Sequence, residues 1–461
     1  LAEVQGGPGG TWNRAGIIVY SRSSNDALYR ISATGGLPAQ VTTIDKSRKE
    51  ISHQWPYFLP DGRHFLYLAR SAQKENTGIY IGALDSQEHK LLVNADSSAV
   101  YAPGFLLYSR ERTLMAQPFD ASKLQLSGEP FPIAEQLGFN LVTGRAFFSV
   151  SETGILVFLT SNAPNTQLTW FDRQGKQIAL VGAAAVDTGV RLSPDEKRLA
   201  VSRVDPQTAS ADIWLIDLAR SNASRFTFDP ANDTGPVWSP DGSRIVFASN
   251  REGVVNMYQK LSNGTGTDEV VLKSAQPVGP HDWSPDGKFI LYGTISPKTG
   301  TDMLLLPVSG DQKPIPFIQT EFDERQGRFS PDGRWVAYSS NESGQFQVYV
   351  QSFPISGGKW QVSTTGGAQP QWRRDGKELF YLSPERKIMA VEVNGAGPTF
   401  VAGIPQPLFD ARVSTIFPGA GGAIYYAASG DGQRFLLNTL AGDSSPVPFT
   451  VVMNWTAGLK K

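Results

Sequence analysis

The sequence predicts an all-β protein, a single large β-propeller of about ten four-stranded blades. Three observations carry this: a turn motif that recurs at a fixed period, alternating apolar runs between its copies, and the lack of apolar stripes at helical spacing. Four stretches read almost as copies: VRLSPDEKRLAVS (190–202), VWSPDGSRIVFAS (237–249), DWSPDGKFILYGT (282–294) and RFSPDGRWVAYSS (328–340). Their Ser-Pro pairs begin at Ser193, Ser239, Ser284 and Ser330, at intervals of 46, 45 and 46. Weaker copies place turn glycines at Gly16, Gly62, Gly104, Gly154, Gly376 and Gly432. Behind a tail at 1–11, the units fall at about 12–50, 51–97, 98–145, 146–187, 188–233, 234–279, 280–325, 326–369, 370–423 and 424–461.

Each unit reads as four strands. An apolar strand ends in a large side chain (Phe58, Trp238, Trp283, Phe329 or Trp372), where it would fill the wedge between blades. In the S-P-D-G turn that follows, Pro presets φ at the first central position, Asp caps with its side chain, and Gly tolerates the positive φ that closes the hairpin. Runs such as RIVFAS, NMYQKL and EVVLKS supply strands two to four. A period near 45 with four short strands is the arithmetic of a propeller blade. Ten blades exceed the usual four to eight, so two smaller propellers are the alternative. The rhythm runs without a linker from Gly16 to Gly376, which favours one ring. It breaks only before Gly432, at the insertion AGIPQPLFDARVSTIFPGAGGA. Unit ten offers the runs IYYAAS, RFLLNTL and FTVVMNW, and no first strand is evident before Gly16, so FTVVMNW is expected to pair beside amino-terminal segments and close the ring.

The 461 residues carry 42 Lys+Arg against 43 Asp+Glu, with no basic block, which argues against nucleic acid or an anionic membrane surface as partner. No apolar run is long enough to span a membrane, so no direct membrane insertion is expected of this segment. The start LAEVQGGPGGTW has neither an initiator Met nor a signal-peptide core, which predicts a piece of a longer protein. Zero Cys excludes disulfides and thiolate chemistry and leaves the compartment open.

WSPDG followed by IVFASNREG and the MYQK strand resembles the blade repeat of TolB-type propellers, also used beside prolyl-oligopeptidase-like hydrolases. WNRAGIIVYS, HQWPYFLPDGRHFLYLARS, GRAFFSVSETG and FTVVMNWTAGLKK together resemble the carboxy-terminal propeller of bacterial transmembrane serine/threonine kinases. That resemblance implies a sensor module on the periplasmic or extracellular side of a bacterial membrane protein. The kinase motifs themselves are absent, and any kinase would lie upstream.

No nucleophile elbow, zinc helix, phosphate loop or EF-hand is found, so no catalytic residue, metal or cofactor is expected. The four histidines are His53, His64, His89 and His281. The candidate ligand site is the channel mouth, where blade-to-blade loops carry Arg48, His53, His281, Asp282, Glu324 and Arg325. Arg191, Val237, Asp282 and Arg328 share the position just before the core aromatic on the innermost strand. There charge is costly unless paired, so mutual pairing and ligand coordination are both open to them. The resulting reading is a non-catalytic, monomeric recognition propeller for a protein, peptide or saccharide. The alternatives are the propeller of a periplasmic hydrolase, a metal-dependent saccharide lyase, or a free TolB-like binding protein.

Overall fold

In a computed structural model the described residues are 9–22, 26–71, 73–140, 144–160, 166–205, 210–296, 299–413, 424–440 and 449–459. Most of the expected tail (1–8) and part of the insertion (414–423) lie outside them. Among the described residues the only helices are three short 3-10 turns. The chain forms two compact units, one of Asn165–Asp443 and one of Leu1–Pro164 with Ser444–Lys461.

The 165–443 unit contains six sheets. Their innermost strands are the end of Gln177–Leu192, Asp233–Trp238, Val278–Trp283, Glu324–Phe329, Ala368–Trp372 and Tyr426–Ala428. Each packs against the next, and the last meets the first. Six apolar clusters fill the six gaps. Leu215 and Phe226 meet Trp238 and Phe247 in one, Tyr338 meets Met303 in another, and Phe380 meets Phe435 in the closing region. Leu168, Trp170 and Leu436 pack on Val190 and Val201 to complete the circle. The expected core aromatics Trp238, Trp283 and Phe329 are buried.

Closure is made by strands from both ends of this unit. Arg434–Leu440 pairs antiparallel with Thr166–Asp172, in register from Thr166↔Leu440 to Asp172↔Arg434. Thr166–Asp172 then pairs with the first half of Gln177–Leu192, whose second half pairs with Arg198–Val204. One strand therefore serves two sheets, joining the first sheet to the closing one.

The other unit holds four sheets of three or more strands in series, led by Gly10–Trp12, Glu50–Phe58, Ala99–Ala102 and Phe148–Val150, and a two-stranded sheet of Phe139–Asn140 with Arg145–Ala146. Three apolar clusters join them in order, centred on Val19 with Phe65, Leu66 with Leu106, and Leu107 with Leu156. Among the described residues no further cluster joins the fourth sheet to the first.

The propeller class agrees with the sequence reading, but the single ring of ten is corrected. Strand 166–172, expected in the fourth unit, pairs instead with 434–440, so six sheets close without those of the other unit. The run FTVVMNW leaves IYYAAS and RFLLNTL and pairs with Leu156–Leu159 rather than with the first strands. The expected tail also ends early, because Gly10–Trp12 is itself a strand paired with Ile18–Tyr20.

The S-P-D-G turns behave alike. Ser239 Oγ donates to Asp241 Oδ1 at 2.6 Å and accepts from Arg244 N at 2.9 Å, and Gly242 sits at φ +70°. The same pair of bonds recurs at Ser193, Ser284, Ser330 and Ser429. At the one turn where Gly is replaced, Glu196 takes the left-handed conformation at φ +56°. Its carboxylate accepts from Gly430 N at 2.7 Å and pairs with Arg374 at 2.5 Å, bonding the first sheet's turn to those of the fifth and sixth.

Candidate functional site

The inner strands of the six-sheet unit carry a repeated irregularity. Register shifts interrupt the pairing at 188–191, 234–237, 280–282, 325–328 and 368–371. Gly189, Gly235, Gln326 and Gln369 hold φ between +59° and +66° within four of them. A bulge adds one residue to one strand, bends it and re-aims the side chains that follow. The bulges are tied from sheet to sheet: Gly235 N donates to Ser202 Oγ at 3.0 Å, Gln369 N to Gln326 Oε1 at 2.9 Å, and Tyr425 N to Gln369 Oε1 at 2.8 Å.

Just after each of these five bulges, and at the matching place on the sixth inner strand, comes the second position before the turn, occupied around the ring by Arg191, Val237, Asp282, Arg328, Gln371 and Ala427. Arg191, 9% exposed, reaches past the intervening strand Asp233–Trp238 to donate Nη2 to the His281 carbonyl at 3.1 Å. A bond between inner strands that are not neighbours in the ring must cross the channel side of the sheets. Asp282 Oδ1 accepts from Arg328 Nη1 at 3.3 Å and Oδ2 accepts from Phe329 N at 2.8 Å. Arg325 pairs with Asp323 at 3.0 Å and stacks over Phe346.

The electrostatics follow from this burial. Burial pushes the Asp282 carboxyl up to about 6, against the pull of Arg191 and the Phe329 and Trp283 amides. Burial, then the charges of Arg191 and Arg325, pushes His281 down to about 3, so its ring is neutral at pH 7. Burial lowers Arg191 to about 10 while Asp282 holds it up, and it remains a cation. Several buried nitrogens have no hydrogen-bond partner among the described residues: Arg191 Nη1, His281 Nδ1, Arg325 Nε, Arg328 Nε and Gln371 Nε2. The channel wall is thus short of acceptors.

The structure brings Arg191, His281, Asp282, Arg325 and Arg328 together, as charge pairs and as a group with spare donors. Three other expectations are corrected. Arg48 and His53 lie in the other unit, where Glu50 gathers them. Its carboxylate meets His53 Nε2 at 3.0 Å, Arg48 Nη2 at 3.0 Å and Asp45 N at 2.8 Å, which pins the loop before that strand. Glu324 is fully buried and takes a hydrogen bond from Thr320 Oγ1 at 2.5 Å, because its side chain turns into the sheet packing, where it feels the charge of Asp302. Gln371 was missed, although its place before Trp372 in the repeat is the same signal that marked Arg191 and Arg328. Among the described residues, no three or more His, Asp or Glu side chains are grouped to hold a metal ion.

Residues 157–315 match the family model described as the TolB beta propeller domain. The chain is 28% identical over 172 residues to the Tol-Pal system protein TolB of Francisella tularensis, covering 37% of this chain and 39% of that protein. It is 27% identical over 195 residues to the uncharacterized peptidase YuxL of Bacillus subtilis, covering 33% of this chain and 29% of that protein. The matched stretch thus spans well under half the length of these relatives. Among solved structures, a putative TolB from Agrobacterium tumefaciens aligns with a TM-score of 0.49 at 20% identity, over 60% of this chain and 98% of that one. TolB from Acinetobacter baumannii aligns with a TM-score of 0.41 at 17% identity, over 72% and 78%. The repeat chemistry, the six-sheet closure and the match over 157–315 support a TolB-type β-propeller over these residues.

Proposed function

We propose that the six-sheet unit is a recognition module that binds a protein, peptide or saccharide ligand at its central channel without turning it over. The observation that carries this is the channel wall itself: five inner-strand side chains with buried, unpartnered nitrogen atoms, aimed by bulges built into the strands. A buried donor without an acceptor costs about 1–3 kcal/mol, which an acceptor-bearing ligand would relieve. Similarity to a Tol-Pal system protein supports a place in the bacterial envelope, and among the described residues no helix is long and apolar enough to cross a membrane. The finer reading, the external part of a receptor serine/threonine kinase, is supported by the segments resembling such proteins, and the coding sequence upstream of Leu1 tests it directly.

The binding test uses the purified chain and isolated bacterial envelope fractions. Arg325→Ala with Arg328→Ala alters the channel wall, and Lys288→Ala with Lys377→Ala alters the exposed turn rim. Retention should fall for the channel pair and stay unchanged for the rim pair. Loss confined to the rim pair would move the binding face to the opposite side, and saccharide turnover by the purified chain would replace recognition with catalysis.

A further inference from the structure

We propose that the channel of the six-sheet unit takes one carboxylate group of its ligand, held by Arg191 and Arg328 with the Gln371 amide and the His281 ring as neutral donors. The proposal deepens the recognition reading and rests on it. Its first ground is the inventory of atoms. Arg191 Nη1, Arg328 Nε, Gln371 Nε2 and His281 Nδ1 are all buried and lack partners among the described residues, and all four can donate. A group with several acceptor sites and no donor answers such a wall, and an ionised carboxylate is acceptor-only.

The second ground is charge. At the ring of equivalent positions stand two guanidinium groups, Arg191 and Arg328, and one carboxylate, Asp282. Arg325 is already matched by Asp323, and His281 is neutral at pH 7. The wall therefore carries one uncompensated positive charge, which a single monovalent anion cancels. A phosphate dianion would overshoot and would also meet Asp282. Charge-assisted bonds from guanidinium to carboxylate are about twice as strong as neutral ones, and the planar fork matches the planar anion.

The third ground is what holds the donors open. Arg191 is fixed through Nη2 on the His281 carbonyl, and Arg328 through Nη1 on Asp282, so in each the unpartnered nitrogen is a different atom from the anchored one. The backbone carbonyls of the two arginines accept from Trp238 Nε1 and Trp372 Nε1, both at 3.1 Å. Those two indoles are built-in reporters of the site.

A peptide carboxy-terminus and a uronic acid present the same group, so the test has an arm for each. Tryptophan emission of the full chain is titrated with N-acetyl-alanyl-alanine against its terminal amide, glucuronate against glucose, and acetate and phosphate as simple ions. The carboxylate member of one pair should bind at least roughly tenfold more tightly than its neutral partner. Asp282→Asn, which removes the competing anion, should tighten that binding roughly tenfold, and Gln371→Leu should weaken it severalfold with the free protein's emission unchanged. Equal binding of the amide or of glucose, looser binding by Asp282→Asn, or phosphate exceeding both carboxylates would overturn the proposal. Acetate binding as tightly as the larger carboxylates would mean an adventitious ion only, and overturn it too. Envelope retention that still depends on Arg325 and Arg328 when every carboxylate fails would sink this inference and leave the recognition reading standing.

Discussion

Replacing Glu324 by Gln should stabilise the protein at pH 8 and leave its stability unchanged at pH 4. Glu324 is fully buried, as is Asp302 on the neighbouring sheet, and each has one carboxylate oxygen without a hydrogen-bond partner among the described residues, Oε2 and Oδ1. Burial first, and then the Asp302 charge, raises the Glu324 carboxyl from 4.5 to about 7, against the Thr320 hydrogen bond that lowers it. The folded value lies above the unfolded one, so the folded state binds this proton more tightly. Its contribution is fully present below 4.5 and is lost as pH rises through 7. At about 1.4 kcal/mol per unit, the loss comes to about 3 kcal/mol by pH 8. Gln keeps an oxygen to accept from Thr320 and carries no charge to desolvate. Urea unfolding followed by tryptophan emission measures both proteins at pH 4 and pH 8. The difference between them should open by about 3 kcal/mol across that range. A pH-independent difference, or a variant less stable than its parent at pH 8, would refute the account of this carboxyl.

Three further expectations concern closure and turns. Phe435→Ala should cost about 3–5 kcal/mol, because the ring is fully buried and lies 5.0 Å from Phe380 and 5.5 Å from Phe409, while Phe449→Ala, at a side chain 69% exposed, should stay within about 0.5 kcal/mol. Urea midpoints of the two variants decide it, and similar losses at both positions would contradict the closing sheet. Asp241→Ala should cost about 1 kcal/mol at neutral pH through its lost bonds to Ser239 and Ser243. These bonds hold the Asp241 carboxyl down at about 2, below its ordinary 3.8, so its contribution is present above 3.8 and lost as pH falls through 2, where the variant and its parent should converge. Glu196→Ala should destabilise more than Glu196→Gly, since both lose the bonds to Gly430 and Arg374 but only Ala keeps a side chain at φ +56°; the reverse order in thermal unfolding would contradict the turn geometry.

The sheets were legible because their signal is local. A turn needs Pro, Asp and Gly at set places, and a strand needs alternation, so Ser239–Gly242 and the run after it declare themselves without knowledge of the rest. Partnership between distant strands has no such signal. Nothing in RFLLNTL says that it will lie against Thr166–Asp172, far earlier in the chain, rather than against FTVVMNW a few residues later. The same division explains the site. The column holding Arg191, Asp282 and Arg328 could be read from repeat alignment, because the repeat fixes which residue precedes the core aromatic. Glu324 could not be placed, since one register shift within Glu324–Phe329 decides which side chains turn to the channel and which into the sheets.

Closure and recognition meet in one strand. Residues 177–185 belong to the closing sheet, residues 186–192 to the first sheet, and Arg191 sits near the end of the same continuous strand. Asp187 stands at the join, its carboxylate bonded to Arg203 at 2.7 and 2.9 Å and its carbonyl taking a hydrogen bond from Asn438 of the closing strand. Val190 N, one residue from Arg191, donates to the Ile424 carbonyl at 3.1 Å. The position of Arg191 in the channel is therefore set by strands 424–440 as well as by its own sheet. Loosening the closing sheet is therefore expected to displace Arg191, because its strand is bonded to strands 424–440 and not to surface loops. A ring closed by strands from both ends thus makes the placement of Arg191 conditional on this unit's being whole.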